Sequence, residues 1–109
     1  MAKTIDLKAG QISRHVTNAL KAINDGYFIA LPAEHGYVYV VDAFNREGVR
    51  AMQVLRGAAD GVTAQVAIKN IETANGISRD IPAAAIKLAE KHWPGLLTLV
   101  VRPHRQLAW

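Results

Sequence analysis

Apolar residues recur at helical spacing near the start of the chain and at strand spacing soon after. The apolar positions of residues 11–24 form one stripe on a helix: Ile12, Val16, Ala19, Leu20 and Ile23. Asp25-Gly26 ends this helix, because Gly26 can take the left-handed conformation of a C-terminal cap. Residues 27–31 are mostly aromatic or branched and predict a strand that Pro32 closes.

A short loop, a second strand and a second helix are predicted next. Residues 33–36 lie between the first strand and the β-prone residues 37–41, so we interpret them as a loop at a strand end. Asn45 is a typical N-cap residue, and the helix that it begins ends near Arg56-Gly57. The predicted buried stripe of that helix consists of Val49, Met52 and Leu55.

The second half of the chain predicts a third strand and a third helix. Residues 62–69 alternate apolar and polar side chains, which is typical of a strand with one apolar face. Residues 70–79 predict a short helical turn with a break at Asn75-Gly76. The next helix starts at Asp80-Ile81-Pro82, with Pro82 at or near its first position. One face of this helix carries Ile86, Ala89 and Trp93.

The stretch His92–Val101 (HWPGLLTLVV) organises the prediction for the whole chain. Pro94 cannot continue the helix, and Gly95 can adopt a positive φ and stop it. Residues 96–101 are apolar apart from Thr98, which is typical of a strand buried on both faces of a sheet. The resulting order of elements predicts an α/β (α+β) fold, in which helices pack on a twisted mixed sheet.

Composition narrows the class of protein and its partners. The 109 residues fit one domain or part of one, and a hydrophobic fraction of 50% fits a globular protein. The net charge of +4 is a mild bias toward anionic partners such as nucleotides or RNA. A basic protein without such a partner has the same charge, so this bias leaves both interpretations open.

Three absences in the sequence exclude other classes. The chain has no cysteine, which excludes disulfides and thiolate metal sites and fits a reducing cytoplasm. Its four histidines show no metal-ligand spacing, so we expect no metal site. Residues 1–10 lack an apolar core and no apolar run reaches about 18 residues, so we expect neither a signal peptide nor a membrane span.

Three segments resemble motifs of one known family, in the family's order and spacing. Leu31–Tyr37 (LPAEHGY) resembles the family segment Pro-Thr-Glu-Thr-x-Tyr-Gly-Leu, and Asp42-Ala43 follows at the family's distance. Leu55–Ala59 (LRGAA) stands where the family has Lys-Gly-Arg-Pro. His92–Leu99 (HWPGLLTL) resembles Phe-Trp-Pro-Gly-Pro-Leu-Thr-Leu. On these residues the chain resembles the YrdC-like, or threonylcarbamoyl-adenylate synthase, family.

The resemblance implies a cytoplasmic transferase with ATP as cofactor and Mg²⁺ as its counter-ion. Family members make threonylcarbamoyl-AMP from threonine, bicarbonate and ATP for tRNA modification, and several bind double-stranded RNA. The implied partners are therefore a nucleotide or small-molecule substrate and RNA. The resemblance predicts a single YrdC-like domain over residues 1–109, shortened at its C-terminus relative to the family. A shortened sheet leaves an edge to cover, so we expect a homo-oligomer or a partner subunit.

Several motif positions depart from the family pattern. Ala33 and His35 stand where the family has two threonines that help to hold substrate. Arg56 keeps the charge of the motif lysine but changes its donor geometry, and Ala58 removes the motif arginine, a bidentate clamp for phosphate or carboxylate. Losing one donor of this kind typically lowers the rate about 100- to 1,000-fold. The resemblance thus implies a degenerate active site.

Glu34, His35 and Arg56 are the candidate catalytic residues. Glu34 and His35 follow a predicted strand and could act as a general acid–base pair, although a solvated loop pair fits the sequence as well. Arg56 could bind a phosphate, or it could satisfy the last carbonyl groups of its own helix.

The candidate residues for binding the nucleotide cofactor are Pro32, Tyr37, Arg56 and Thr98. Tyr37 orients a substrate in one interpretation and packs as a strand aromatic in the other. Thr98 either faces the nucleotide or is a buried threonine of the pivotal strand.

Three functions stay open at this stage. The first is an adenylate-forming or nucleotide-binding protein of tRNA modification, with its site between residues 32–37 and Arg56. The second is a non-catalytic partner subunit or binding module on the same scaffold. The third is a repurposed enzyme that uses Glu34 and His35 on a small metabolite.

Overall fold

The computed structural model describes residues 2–59 and 62–105, and the chain divides into two compact units, Met1–Asp60 and Gly61–Trp109. The first unit contains α1 (Ile12–Asn24), β1 (Ile29–Ala33), β2 (Gly36–Val40) and α2 (Arg46–Leu55). The second contains α3 (Ile71–Ile77), β3 (Ser78–Arg79), α4 (Ala83–His92) and β4 (Arg102–Pro103). Helices and strands are interspersed along the chain, which confirms the predicted α/β class.

The strands of the first unit form an antiparallel hairpin. Ile29 lies opposite Val40, and Ala33 lies opposite Gly36. The predicted bounds were wrong here, because β1 begins two residues later and runs through Pro32 instead of stopping before it. A strand with a neighbour on only one side tolerates proline, since the missing N–H can point away from the partner. The predicted loop over residues 33–36 shrinks to a two-residue turn.

Helix α1 begins one residue later than predicted, at Ile12, and ends at Asn24 as predicted. Gly26 has a φ of +89°, its N–H donates to the carbonyl of Ile23, and the N–H of Tyr27 donates to the carbonyl of Ala22. These two bonds form a Schellman motif, which satisfies carbonyl groups that the helix leaves unpaired. The apolar stripe is less covered than its pattern suggests: Ile12 is 79% exposed.

Helix α2 is capped at both ends. The side chain of Asn45 accepts a hydrogen bond from the N–H of Gly48 at 3.0 Å, which confirms the predicted N-cap. Gly57, with a φ of +62°, forms a second Schellman motif at the C-terminal end. Met52 is buried as predicted, but Leu55 is 52% exposed, so the predicted stripe is buried only in part.

Helix α3 continues through Asn75-Gly76, so the predicted break there is wrong. The side chain of Asn70 accepts hydrogen bonds from the N–H and the hydroxyl of Thr73, which fixes the start of the helix. One interior glycine costs a helix about 1 kcal/mol and does not end it. The helix stops at Ile77, and the chain then enters β3.

Two predicted strands are absent from the described residues. Residues 62–69 and residues 96–101 belong to no strand, and the described strands of the second unit are the short β3 and β4, with Arg79 opposite Arg102. A strand exists only where another backbone forms a ladder with it, and the described ladders, β1–β2 and β3–β4, include neither stretch. Gly95 does not adopt a positive φ, so the prediction that it stops α4 in this way is also wrong.

The buried core is small. Within residues 2–59 and 62–105, the buried hydrophobic side chains are those of Met52, Ala74 and Ala89. Several large hydrophobic side chains of the described residues are exposed instead, among them Tyr37, Val54 and Val100. Among the described residues, no helix is long and apolar enough to cross a bilayer.

Candidate functional site

The turn of the β1–β2 hairpin holds the predicted acid–base pair. Glu34 and His35 are the two residues between the strands, and both side chains are exposed. Neither forms a hydrogen bond or an ion pair with any part of the chain that the structure describes. The structure therefore brings the two residues side by side without any contact that would orient either for proton transfer, and their catalytic role stays a prediction.

The outward side of the same hairpin carries a row of exposed rings. Pro32 on β1 lies directly opposite Tyr37 on β2, and Ala30 lies opposite Tyr39. Tyr37 is 81% exposed, and the ring of Phe28 meets that of Tyr39 edge to face at 5.9 Å. We call Phe28, Pro32, Tyr37 and Tyr39 the aromatic face. It joins two of the predicted nucleotide-binding residues, Pro32 and Tyr37, on one surface.

The alternation of the strands explains why these rings face outward. Successive side chains of a strand point to opposite sides of the sheet. The inward side chains of the hairpin are half-buried: Ile29, Leu31, Val38 and Val40. Tyr37 and Tyr39 occupy the alternate positions, and α1 lies beside β1. The apolar residues therefore hold the hairpin to its unit, and the aromatic residues are left accessible to a ligand.

Arg56 ends helix α2 at its C-cap position. Its backbone N–H donates to the carbonyl of Met52, and the N–H of Gly57 donates to the carbonyl of Val54. Backbone groups thus satisfy the helix end, and the alternative in which the guanidinium does so is wrong. The guanidinium makes no hydrogen bond or ion pair within the described residues, so it is free to meet an anion. Ala58, at the position of the family's second cation, is half-buried.

The predicted site is assembled only in part. No ion pair joins Glu34 to Arg56 within the described residues. The start of α2 is tied to the end of α1, because the side-chain amide of Asn45 donates to the carbonyl of Gly26 at 3.4 Å. Arg56 lies at the other end of α2, about 15 Å from the start of that helix along its axis. The aromatic face and Arg56 are therefore held by separate elements of the first unit.

Thr98 lies in the second unit and outside any described strand. Its side chain is exposed, so the interpretation of Thr98 as a buried threonine of a central strand is wrong. Its predicted contact with a nucleotide stays a prediction.

Two residues of the aromatic face were missed from the sequence. Tyr39 stands two positions after Tyr37, which is the spacing of residues on one side of a strand. Phe28 lies just before β1, four positions ahead of Pro32, and an even spacing in an extended chain also places two side chains on one side. Strand periodicity, applied across the turn, could have identified both residues. The described part of the chain contains no group of three or more His, Cys, Asp or Glu side chains placed to hold a metal ion.

The chain is similar in sequence to proteins that are provisionally named threonylcarbamoyl-AMP synthase. Residues 21–108 match the Sua5/YciO/YrdC family, which carries the description "Telomere recombination". Relatives from two strains of Mycobacterium tuberculosis, CDC 1551 and H37Rv, are provisionally named threonylcarbamoyl-AMP synthase. Each is 30% identical over 99 residues, which cover 91% of this chain and 46% of the relative. A Mycobacterium leprae protein with the same provisional name is 29% identical over 99 residues, covering 91% of this chain and 45% of its own length.

The match covers most of this chain but only part of each relative. No solved structure matches the chain significantly. The chain spans about half the length of the curated relatives it matches. The family match runs through the hairpin, α2 and the Trp-Pro-Gly corner, which are the segments that carry the resemblance. The chain belongs to the Sua5/YciO/YrdC family.

Proposed function

We propose that this chain is a nucleotide-binding module of the threonylcarbamoyl-AMP synthase type, with a reduced catalytic set. The observation that carries the proposal is the exposure of Tyr37, at 81%, within the segment that resembles a family motif. The provisional names of the mycobacterial relatives support the same substrate class. The proposal assigns ATP to the first unit, because that unit contains both the aromatic face and Arg56.

In this proposal the aromatic face binds the base and Arg56 binds a phosphate. Stacking of a nucleobase on one aromatic side chain contributes about 1–3 kcal/mol, and Tyr37 is open on its solvent side. The guanidinium of Arg56 offers a planar fork of N–H donors that fits phosphate oxygens. Mg²⁺ would be held mainly by the phosphates and water, as is usual for nucleotide-bound magnesium.

The catalytic part of the proposal is a low rate of adenylate formation. In the reaction, a carbamate oxygen attacks the α-phosphorus of ATP and pyrophosphate leaves with the charge that develops on it. Ala58 offers no cation for that charge, and each missing donor costs about 100- to 1,000-fold in rate. Glu34 and His35 lack the contacts that would orient a general base, so the proposal gives them no role.

Calorimetric titration with Mg–ATP tests the binding step. We expect saturable binding, weakened about 5- to 100-fold by Tyr37→Ala, because one stacking contact is lost. Phe44→Ala is the matched control, since Phe44 is also exposed, at 72%, but lies outside the hairpin. Arg56→Gln should weaken binding of ATP more than that of adenosine, with Arg50→Gln as its control. Absence of saturable binding would contradict the proposal.

Exchange of pyrophosphate into ATP, with threonine and bicarbonate present, tests the catalytic step. We expect a rate at least about 100-fold below that of the full-length M. tuberculosis relative, for the loss of one donor. An equal rate would contradict the reduced catalytic set. Binding with no exchange would favour the non-catalytic partner module. Glu34→Ala and His35→Ala should leave the rate unchanged, and a loss of exchange in either would give that residue a catalytic role that the proposal denies it.

A further inference from the structure

Two arginines lie opposite each other in the strand pair of the second unit. Arg79 of β3 is directly opposite Arg102 of β4 in the antiparallel register. Residues in this relation carry their side chains on the same side of the pair, with Cβ atoms about 4.5–5.5 Å apart. Like charges at this spacing destabilise a strand pair. The two arginines therefore repel each other in the protein alone.

Neither arginine has a partner for its guanidinium among the described residues. No hydrogen bond or ion pair of either side chain is formed within residues 2–59 and 62–105. The Nε of Arg79 is buried without an acceptor, and the side chain of Arg102 is exposed. A guanidinium presents a planar fork of N–H donors that matches the oxygens of a phosphate. One oxyanion between the two arginines would offset their repulsion and give both of them acceptors.

A cavity of about 380 Å³ adjoins Arg102 and can hold a small organic group. Arg102 is part of its lining. The apolar residues of the lining are Pro82, Ala85, Leu99, Val100 and Val101. Ligand sites commonly combine such an apolar lining with a few polar groups that fix the orientation of the ligand. The cavity therefore suits the carbon part of a molecule whose anionic end meets the arginines.

The start of helix α4 adds positive potential to the same cavity. Its N-cap residue, Pro82, makes no side-chain cap, whereas Asn45 and Asn70 cap the helices that they begin. The first turn of α4 also contains no acidic residue. Pro82 and Ala85, from this first turn, line the cavity. The partial positive charge of the helix start therefore supports the charge of the arginine pair.

Asp80 also lines the cavity and opposes an anion there. Its side chain is exposed and forms no ion pair within the described residues. Together with Arg79 and Arg102, it leaves one net positive charge at the site. We therefore expect inorganic phosphate alone to bind weakly and a phosphate that carries an apolar group to bind more tightly, because burial of that group adds to the affinity.

We propose that Arg79 and Arg102 bind the phosphate of a small phosphate monoester, whose apolar carbon part occupies the adjoining cavity. A monoester carries about −1.5 to −2 charge at neutral pH, so it can meet both guanidinium groups. All of these residues belong to the second unit. The proposal does not rest on nucleotide binding, which uses residues of the first unit, and its failure would leave the proposed function standing.

Calorimetric titration of the full chain with phenyl phosphate, at constant ionic strength, tests this site. We expect saturable binding at least about tenfold tighter than that of inorganic phosphate, because the ring is buried. Benzoate has the same ring and one negative charge, and it should bind at least about tenfold more weakly than phenyl phosphate. Equal affinities of phenyl phosphate and either control ligand, or no saturable binding of phenyl phosphate, would overturn the proposal.

Single substitutions locate the bound phosphate. Arg79→Gln and Arg102→Gln should each weaken binding of phenyl phosphate at least about tenfold, because a charge-assisted contact is lost. Arg50→Gln is the matched control, since Arg50 is an exposed arginine of α2, and it should change the affinity less than about twofold. Binding that is lost in Arg56→Gln and kept in Arg79→Gln would place the phosphate in the first unit. That result would overturn this proposal and leave the proposed function standing.

Thermal unfolding distinguishes a loss of binding from a loss of folding. Without ligand, Arg102→Gln should be at least as stable as the parent chain, because the repulsion between like charges is removed. Saturating phenyl phosphate should raise the unfolding midpoint of the parent, as a ligand of the folded state does. It should leave the midpoint of Arg102→Gln unchanged at the same concentration. An equal rise in both proteins would overturn the proposal.

Discussion

Helix α2 and residues 96–101 differ in where their backbone hydrogen bonds come from. The hydrogen bonds that close the ends of α2 come from neighbouring residues: the side chain of Asn45 caps the start, and the amides of Gly57 and Ala58 donate to carbonyl groups of the last turn. Residues 96–101 are more apolar than α2, yet they form no strand within the described residues. A helix contains its own partners, whereas a strand depends on another segment.

The comparison shows that a strongly apolar stretch of this chain does not by itself form a helix or a strand. The residues with the strongest hydrophobic signal remain half covered, with Val100 exposed at 98%. The polar residues Asn45 and Asn70, which carry no hydrophobic signal, begin two of the helices. Substitutions at local caps and close contacts are therefore expected to change stability more than a charge placed on an exposed side chain of residues 96–101, such as Val100.

The largest expected effect is at Gly48. A Cβ at this position would lie 2.6 Å from Cγ2 of Val41 and 2.9 Å from Nδ2 of Asn45. Gly48→Ala should therefore lower the free energy of unfolding by about 1–3 kcal/mol, as overpacking does elsewhere. Gly76→Ala is the matched control, because nothing lies within 4 Å of its Cβ position in α3. It should be neutral or stabilising by up to about 1 kcal/mol in urea unfolding. Equal effects of the two changes would contradict the packing described for α2.

The next effect is expected at the Schellman motif of α2. Gly57 has a φ of +62° and open space around its Cβ position, so alanine there meets only backbone strain. Gly57→Ala should destabilise by about 1–2 kcal/mol. Gly57→Asn should be milder, because asparagine tolerates this conformation better. Thermal and urea unfolding of both variants measure the difference, and an alanine variant as stable as the parent would show that the turn is formed otherwise.

Removing the N-cap of α2 should have a similar or slightly smaller effect. Asn45→Ala deletes the acceptor for the N–H of Gly48, and such a loss costs about 1 kcal/mol. Asn45→Asp keeps the acceptor and should recover most of the stability. Asn75→Ala serves as the control, because Asn75 is exposed inside α3 and caps nothing. The comparison fails if Asn45→Ala and Asn75→Ala change the urea midpoint equally.

The smallest effect on the stability of the chain alone is expected at Val100. Val100→Lys removes a side chain that is 98% exposed, so the free energy of unfolding should change by less than about 0.5 kcal/mol. Its solubility should rise, since an exposed apolar patch is reduced. A loss of more than about 2 kcal/mol in urea unfolding, the scale of a core substitution, would place Val100 in a buried strand after all.

The sequence predicted the local features of this fold better than the distant ones. Asn45 and Gly26 were identified because capping depends on a few neighbouring residues. Whether residues 96–101 form a strand could not be settled from the sequence, because a strand needs a second backbone to pair with and the pattern of one segment does not supply it. The bounds of β1 failed for a related reason: whether Pro32 ends a strand depends on which side of it is paired.

The candidate site shows the same division. Motif resemblance identified Pro32 and Tyr37, which the hairpin does bring opposite each other. Resemblance alone could not show that Glu34 and His35 would have no contacts, because contacts depend on the packing around the turn. Tyr39 was recoverable from strand spacing, whereas its contact with Phe28 needed the register of the hairpin.

Amide hydrogen exchange of the chain alone tests the central claim most directly. The claim is that the backbone hydrogen bonds of α2 form within the helix and its caps, whereas the backbone of residues 96–101 has no strand paired with it among the described residues. We expect the amides of Leu96–Val101 to exchange within about tenfold of an unstructured peptide and those of residues 50–55 to be markedly slower. Protection of Leu96–Val101 equal to that of α2 would mean that the segment is already paired, and it would contradict the account.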